Sequence, residues 1–402
     1  MTLLKKYLTK FFLATAAVSV SVSAIAAESR TVSRQEAINM ILRGNPTLGT
    51  LRRAASAENI LGKATSQLGG PEIEGSYSFG SGADDKWEFG ISQGFDWPGA
   101  YRGRRKASDA QSRARMANLA VAEQQVRLDA MMCIIDGVYN TRRLKSLTLL
   151  RENLDSVARS IEYGFNHGEL TILDVKKVRL ELFRLDNDIS DCRGALDEAE
   201  SSLRLLAGDS ALSVDLADYD IQPFYSLGEY YTFAENVPTV QAVLAQAEAN
   251  ALEAEASRLS RLPSFSLGYR HAFEEGHHFN GISASVGLPS WGRNYEREGN
   301  RLLAQNSLSQ ASIATAEAKR AIDSDYAQAE RLREMMKKYN SVIFDDEYIE
   351  LLMLAYHGGQ INVITLIQEI NFFIEASLEF QTADRDYQRL LARLNINLPE
   401  RQ

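Results

Sequence analysis

The segment "YGFNHGELTILDV", residues 163–175, lies between two long stretches with helical hydrophobic spacing. It contains two glycines, an asparagine and a histidine within six residues. A glycine readily adopts the left-handed conformation that ends a helix, so Gly168 predicts a sharp reversal of the chain. Asp174 follows at the start of the next helical stretch, where unpaired N–H groups favour a carboxylate. The segment therefore predicts the turn of a helical hairpin.

Helical periodicity continues over long distances on both sides of this turn. Between Pro98 and Gly168 the chain has no further proline and little glycine, so residues 100–166 are predicted to form one helix. At 1.5 Å per residue such a helix is roughly 100 Å long. Residues 172–207 carry apolar side chains at alternating steps of three and four, which is typical of a coiled-coil seam. The chain is therefore predicted to be mainly α-helical, with very long coiled-coil helices.

The same order of features occurs twice, with an offset of about 192 residues. The turn segment corresponds to "AYHGGQINVITL" at 355–366, and "PEIEGSYSFG" at 71–80 corresponds to "PSFSLGYRHAF" at 263–273. We interpret this pattern as an internal duplication. The first repeat covers residues 27–207, and the second covers residues 237–402.

Each repeat is predicted to contain the same parts in the same order. A helix of about thirty residues, a strand hairpin, a very long helix, a glycine turn and a returning helix follow one another. The predicted bounds are 33–68, 71–95, 100–166, a turn near Gly168 and 172–207 in the first repeat, and 238–262, 263–288, 293–356, a turn near Gly359 and 362–396 in the second. The connecting segment, residues 208–236, is predicted to be a non-helical equatorial element on the outside of the helical column.

The predicted strands alternate between apolar and polar or small residues. In residues 86–95, one face carries Trp87, Phe89, Ile91 and Phe95, and the other carries Glu88, Gly90, Ser92 and Gly94. Such alternation fits a half-buried strand of a water-soluble sheet whose apolar face packs on a helical core. A length of about ten residues with one apolar face also fits a membrane β-strand. The strands alone leave both alternatives open.

The start of the chain and its charge indicate the compartment and exclude some partners. Residues 1–26 have lysines, then the apolar run "FFLATAAVSVSVSAIA" that ends in small residues, which predicts a secretory signal peptide. The net charge is −9, and loss of the three lysines in this leader makes the exported chain −12. A chain so acidic is not expected to bind nucleic acid.

The sequence has no pattern that would indicate an enzyme or a cofactor site. It lacks a phosphate-binding glycine loop, a His-Glu-x-x-His motif, a Gly-x-Ser-x-Gly elbow and a cysteine pair at metal-ligand spacing. We therefore expect no catalysis and no cofactor.

Three motifs carry a resemblance to a known family. "SQGFDWPGAYRGRR" at 92–105 is similar to a strand-to-helix segment, and "GELTILDV" at 168–175 and "YHGGQINVITL" at 356–366 are similar to helix-tip motifs. In this order, behind a signal peptide, they make the exported chain resemble the TolC family, the outer-membrane factors of tripartite efflux and type I secretion. Four strands cannot close a channel by themselves, and an open sheet edge is not tolerated in lipid, so several chains would share one barrel.

The resemblance implies a homotrimer in the outer membrane of a Gram-negative bacterium. Four strands per protomer would form a 12-stranded β-barrel in outer-membrane lipid, and the long helices would form a periplasmic α-barrel. The helix tips would dock onto a periplasmic adaptor protein that is joined to an inner-membrane pump, of the RND type. The implied function is an exit duct for small molecules or metal cations. The alternative is a periplasmic coiled-coil scaffold without channel activity.

The resemblance also assigns roles to residues at the two tips. The implied docking residues are Gly168, Glu169, Leu170, Gly359, Gln360 and Ile361. Asp174 and Tyr356 are the candidates for the gate at the aperture, although helix capping and helix packing would explain them equally. No metal site is predicted, but histidine is a common metal ligand. The five histidines from which a site could be built are His167 and His357 at the tips and His271, His277 and His278 in the second strand hairpin.

Overall fold

The computed structural model describes residues 31–80, 83–274, 276–288, 293–340 and 347–398. The predicted signal peptide, residues 1–26, lies outside these ranges. The first elements are β1 (Thr31–Val32), α1 (Arg34–Gly44), α2 (Pro46–Ala64), β2 (Glu72–Gly80), β3 (Ala83–Phe95), α3 (Pro98–Asn166) and α4 (Ile172–Ala207). They are followed by β4 (Ser213–Val214), α5 (Leu227–Phe233), α6 (Pro238–Leu259), β5 (Ser264–Glu274), β6 (His277–Gly287), α7 (Arg293–Asn340), α8 (Glu347–His357) and α9 (Val363–Asn395).

The first long hairpin has the predicted form. Helix α3 contains 69 residues and α4 contains 36 residues, so that α3 alone is about 100 Å long. Pro98 lies in the first turn of α3, where its missing N–H has no intrahelical partner to lose. Helix α4 ends at Ala207 and is capped by Gly208, which has a φ of +65°. The predicted bounds of the returning helix, 172–207, are confirmed.

One predicted helix is wrong, because residues 33–68 form two helices that meet at Asn45. Pro46 cannot donate a backbone hydrogen bond, so α1 cannot continue through it. The Asn45 side chain accepts a hydrogen bond from the backbone N–H of Leu48 at 2.9 Å and donates one to the carbonyl oxygen of Leu206 at 2.8 Å. Asn45 therefore caps α2 and joins the break to the end of α4.

The prediction that the connecting segment 208–236 is non-helical is also wrong in part. Strand β4 pairs in parallel with β1, and α5 occupies Leu227–Phe233. Ser226 and Glu229 form a reciprocal capping box that stabilises this short helix. The side chain of Tyr230 is 2% exposed, and its hydroxyl donates a hydrogen bond to Asn395 Oδ1 at 2.9 Å. The segment is therefore packed against the end of α9.

The long helix predicted over residues 293–356 is described in two parts. Helix α7 ends at Asn340 and α8 begins at Glu347, and residues 341–346 lie outside the described residues. Helix α9 follows the second glycine turn, where Gly359 has a φ of +69°. Its described bounds lie within one residue of the prediction at each end.

The four long strands form one antiparallel sheet in the order β2-β3-β5-β6. Trp87 lies opposite Phe273, and Ile91 lies opposite Tyr269, so the two predicted apolar faces form one continuous surface. This surface is bare within the chain: Phe79 is 81% exposed and Ile282 is 83% exposed. The sheet does not pack its apolar face on the helices of its own chain, which the water-soluble alternative requires.

The buried residues lie along the helical part instead. One cluster joins α3, α4 and α9 near the two glycine turns, and it includes Leu154, Ile161, Val178, Leu366 and Ile370. A second cluster joins α1, α3, α4 and the connecting segment around Ile41 and Leu203. No helix in the described ranges is both long and apolar enough to cross a membrane.

Candidate functional site

The first tip is a helix end of the Schellman type, built around Gly168. The N–H of Gly168 donates to the carbonyl oxygen of Phe165 at 3.0 Å, and the N–H of Glu169 donates to that of Gly164 at 2.9 Å. Gly168 has a φ of +80°, which a residue with a side chain rarely adopts. These two bonds satisfy carbonyl groups that the end of α3 would otherwise leave unpaired.

The second tip has the same backbone arrangement around Gly359. The N–H of Gly359 donates to the carbonyl oxygen of Tyr356 at 3.0 Å, and the N–H of Gln360 donates to that of Ala355 at 2.8 Å. Both chain reversals are therefore made by the same pair of hydrogen bonds, around a glycine that lies two residues after the last residue of a helix.

A capping box begins the returning helix at the first tip. The Asp174 carboxylate accepts hydrogen bonds from the Thr171 hydroxyl at 2.6 Å and from the Thr171 backbone N–H at 3.0 Å. The Thr171 hydroxyl accepts in turn from the Asp174 N–H at 3.4 Å. The hydroxyl and then the backbone bond from Thr171 lower the pKa of Asp174, so this nearly buried side chain is a carboxylate at neutral pH.

The cap of the returning helix at the second tip carries no charge. The Asn362 side-chain oxygen accepts hydrogen bonds from the Thr365 N–H at 2.9 Å and from the Thr365 hydroxyl at 3.1 Å. Thr365 thus occupies the helix position that Asp174 occupies at the first tip.

The two tips lie side by side and line an open cavity of about 530 Å³. Its walls include both gate candidates, Asp174 and Tyr356, together with Glu169 and Ile361. Partial burial and then the nearby charge of Asp174 raise the pKa of Tyr356, so its hydroxyl stays neutral at physiological pH. The structure therefore brings together two residues that are 182 positions apart in the chain.

The six predicted docking residues fall into two groups. Gly168, Glu169, Gly359 and Gln360 are exposed at the extreme end of the molecule. Leu170 and Ile361 are half-buried and pack against the cluster of apolar residues that joins the two hairpins. The first group can contact a partner directly, whereas the second group holds the two turns against each other.

The histidines do not converge on one site. His167 contacts the Tyr163 ring at a centroid distance of 4.0 Å, and its Nδ1 lies 2.8 Å from the Tyr163 carbonyl oxygen. His357 lies beside the Tyr356 ring at 5.6 Å. In the strand hairpin, His271 and His278 lie 3.3 Å apart between their nearest ring nitrogens. No group of three or more His, Cys, Asp or Glu side chains that could hold a metal ion occurs within the described residues.

Sequence reasoning missed an ion pair with a buried carboxylate halfway along the helices. The Asp384 carboxylate is 8% exposed and accepts a hydrogen bond from Arg142 at 2.9 Å. Arg142 also pairs with Asp218 of the connecting segment at 2.7 Å. Burial raises the pKa of Asp384, although Gln388 and Arg142 oppose this. The available signal was Asp384 itself, a charged residue in line with the apolar positions of α9.

The fold matches those of solved bacterial membrane proteins. A membrane protein from Pseudomonas aeruginosa superposes with a TM-score of 0.74 at 17% identity, over 91% of this chain and 93% of that one. The outer membrane protein VceC from Vibrio cholerae gives 0.70 at 14% identity, over 91% and 94%. The MtrE outer membrane channel of Neisseria gonorrhoeae, in its open state, gives 0.67 at 16% identity, over 91% and 88%.

These likenesses confirm the protomer fold that the resemblance to the TolC family implies, which is mainly α-helical with a small β part. No protein-family model matches the sequence, and no curated protein matches it significantly. Because the identities are below one fifth, the shared property is the arrangement of helices and strands along nearly the whole chain.

Proposed function

We propose that the protein is the exit duct of a tripartite efflux system in the outer membrane of a Gram-negative bacterium. Three copies would each contribute four strands to a 12-stranded barrel, and their long helices would form a tunnel through the periplasm. The bare apolar face of the sheet is the observation that carries this proposal. Exposure of a continuous apolar surface that contains Phe79 and Ile282 is unfavourable in water, whereas contact of that surface with lipid is favourable.

The edges of the sheet support a barrel shared between chains. Strands β2 and β6 each pair with only one neighbour among the described strands. An unpaired edge leaves backbone N–H and C=O groups without partners, which is not tolerated in the hydrocarbon region. Since β2 and β6 run in opposite directions, β6 of one protomer can pair antiparallel with β2 of the next.

The opposite face of the sheet suits a water-filled lumen. It carries small residues and two cross-strand ion pairs, Lys86 with Glu274 at 2.9 Å and Arg270 with Glu88 at 3.1 Å. With a net charge of −12 for each exported chain, the duct is expected to favour cations over anions. Small molecules and metal cations are the proposed cargo.

The paired tips are the proposed entrance to this duct. Their exposed residues, Gly168, Glu169, Gly359 and Gln360, would meet a periplasmic adaptor that is bound to an inner-membrane pump of the RND type. Asp174 and Tyr356 face one cavity between the tips, so that a change there alters how the two hairpins contact each other. This arrangement supports a role for the pair in closing the aperture.

We also propose that the chain arose by internal duplication, with repeats at 27–207 and 237–402. The structure supports this proposal in addition to the sequence, because both tips contain the same two hydrogen bonds around a glycine of positive φ. The two strand hairpins also join edge to edge through β3 and β5.

Membrane fractionation combined with conductance tests the proposed function. We expect the protein to stay in the outer-membrane fraction after a carbonate wash, and the purified trimer to form ion-conducting pores in a planar bilayer. Release by carbonate together with absence of conductance would reject the duct and favour the periplasmic scaffold.

A further inference from the structure

The two strands of the second hairpin hold a pair of imidazole rings at its closed end. Nε2 of His271 on β5 lies 3.3 Å from Nδ1 of His278 on β6. The rings are nearly parallel, with an interplanar angle of 26° and a centroid distance of 5.3 Å. Both residues lie on the apolar face of the sheet, and His278 is exposed.

Neighbouring side chains determine which nitrogen of His271 is free. His271 Nδ1 lies 2.8 Å from Asn280 Oδ1, which also accepts a hydrogen bond from the Tyr269 hydroxyl. An amide carbonyl oxygen can only accept hydrogen bonds, so the imidazole must donate and the proton of neutral His271 is on Nδ1. The lone pair of Nε2 therefore points toward His278. In proteins that bind metals, a hydrogen bond from the second ring nitrogen fixes the ligating histidine in this way.

Aromatic contacts fix the positions of both rings. The Trp87 ring lies 5.3 Å from that of His271, and the Phe273 ring lies 5.0 Å from that of His278. The site is therefore built from three adjacent strands rather than from two mobile side chains.

We propose that His271 and His278 bind one divalent transition-metal ion of the Zn²⁺ type. Two nitrogens at about 2.0–2.1 Å from a tetrahedral Zn²⁺ are about 3.4 Å apart, which is close to the separation in the structure. The metal would take the place of the hydrogen between the two nitrogens, and the single proton of neutral His278 would move from Nδ1 to Nε2. Water would complete the coordination, since no third His, Cys, Asp or Glu ligand lies close enough within the described residues.

The location of this site separates it from the path of the cargo. The ion pairs of the proposed lumen lie on the other face of the sheet, as does His277, which is opposite Glu274. A metal between β5 and β6 would instead join the closed end of the hairpin on the apolar face, at the end of the sheet farthest from the helices, where the strands of the proposed barrel leave the lipid and meet water. The inference does not depend on transport, because it needs only the sheet.

Zn²⁺ titration of the purified full-length protein by calorimetry tests the site. We expect one ion per chain, and a loss of at least tenfold in affinity for both His271→Ala and His278→Ala. Asn280→Ala should weaken binding by about tenfold, because it removes the group that orients His271. His277→Ala is the matched control, from the same hairpin but the opposite face, and should bind as the wild type does.

A variant expected to bind Zn²⁺ more tightly is also needed, because misfolding can cause a loss of affinity but not a gain. Asn280→Asp places a carboxylate on His271 Nδ1–H, makes Nε2 more basic and should tighten Zn²⁺ binding. Wild-type affinity in both His271→Ala and His278→Ala would overturn the proposal, and so would the absence of Zn²⁺ binding to the wild type. Equal loss in His277→Ala would equally count against it.

Discussion

The two helix tips have the same backbone hydrogen bonds, but the caps of their returning helices differ in charge. Each contains the same two hydrogen bonds around a glycine of positive φ, Gly168 in the first and Gly359 in the second. The returning helix is then capped by Asp174 with Thr171 at the first tip, and by the neutral pair Asn362 and Thr365 at the second. The shape of a tip therefore depends only on residues that end one helix and begin the next. Because only the first cap contains a carboxylate, the two caps can respond differently to mutation and to pH.

The largest effect is expected from a bulky charge at either turn glycine. Nothing lies within 4 Å of a Cβ added to Gly168 or Gly359, so an arginine would project from the tip without a clash inside the protomer. If both turns face the adaptor, Gly168→Arg and Gly359→Arg should each abolish efflux while trimers persist. Intracellular accumulation of the transported compound and native gels provide the two measurements.

Asparagine at the same positions is the matched control. It tolerates the left-handed conformation, which costs most other residues about 1–2 kcal/mol, and it adds no charge. Gly168→Asn and Gly359→Asn should keep most of the efflux. Normal efflux in both arginine variants would remove the tips as the docking site, and a defect at only one tip would show that docking is asymmetric.

The next effect separates the charged cap from the neutral one. Asp174→Ala removes a capping interaction worth about 1 kcal/mol, which would change the ratio of open to closed tips by about fivefold. Single-channel recordings should then show higher mean conductance. Thr365→Ala, at the equivalent helix position of the second tip, keeps the Asn362 cap on its backbone N–H and should resemble the wild type. Equal changes in the two variants would contradict a gate at the first tip.

The cap of the first tip should respond to acid, whereas the cap of the second tip has no titratable group. Hydrogen bonds from Thr171 lower the pKa of Asp174, so the carboxylate stabilises the tip fully above its unfolded value of about 3.9. That stabilisation is lost as the pH falls through the lower folded value. Wild-type conductance should therefore be constant from neutral pH to about pH 4 and rise below it. Asp174→Asn should lack the acid step, whereas a wild-type step near pH 6 would point to another group.

The smallest effect is expected from the Tyr356 hydroxyl. Tyr356→Phe keeps the ring that packs between the tips and removes a neutral hydroxyl beside Asp174. A contribution of about 0.5 kcal/mol would raise the ratio of open to closed tips only about twofold. The same recordings measure it. If neither Tyr356→Phe nor Asp174→Ala changes the conductance, the pair does not close the aperture.

Local signals in the sequence were sufficient for the first helical hairpin and for the strands. Residues 172–207 combine an unbroken apolar seam with Thr171 at one end and Gly208 at the other, and the helix has these bounds. The alternation of strand residues likewise predicted the faces that the register shows. Both features depend on neighbours in sequence, with periods of 3.5 and 2.

Contacts between distant residues were not predictable in this way. Pro46 is a local signal for the break at Asn45, but the hydrogen bond from Asn45 to Leu206 joins distant segments. Asp384 is buried because Arg142 and the connecting segment meet it there. The proximity of Asp174 and Tyr356 arises only when the two hairpins pack together. Helical periodicity predicts which face of a helix is buried, but it does not predict which segment of the chain packs against that face.

Cross-linking between neighbouring strands tests most directly whether three chains share one barrel. In a background with Cys133→Ala and Cys192→Ala, Ser76→Cys on β2 would be combined in turn with Gly281→Cys, Ser283→Cys and Ser285→Cys on β6. All four positions lie on the polar face of the sheet. The account predicts covalent dimers and trimers for at least one pair, and monomers for each single cysteine. Monomers from every pair, in protein that is present in the outer membrane, would contradict a shared barrel.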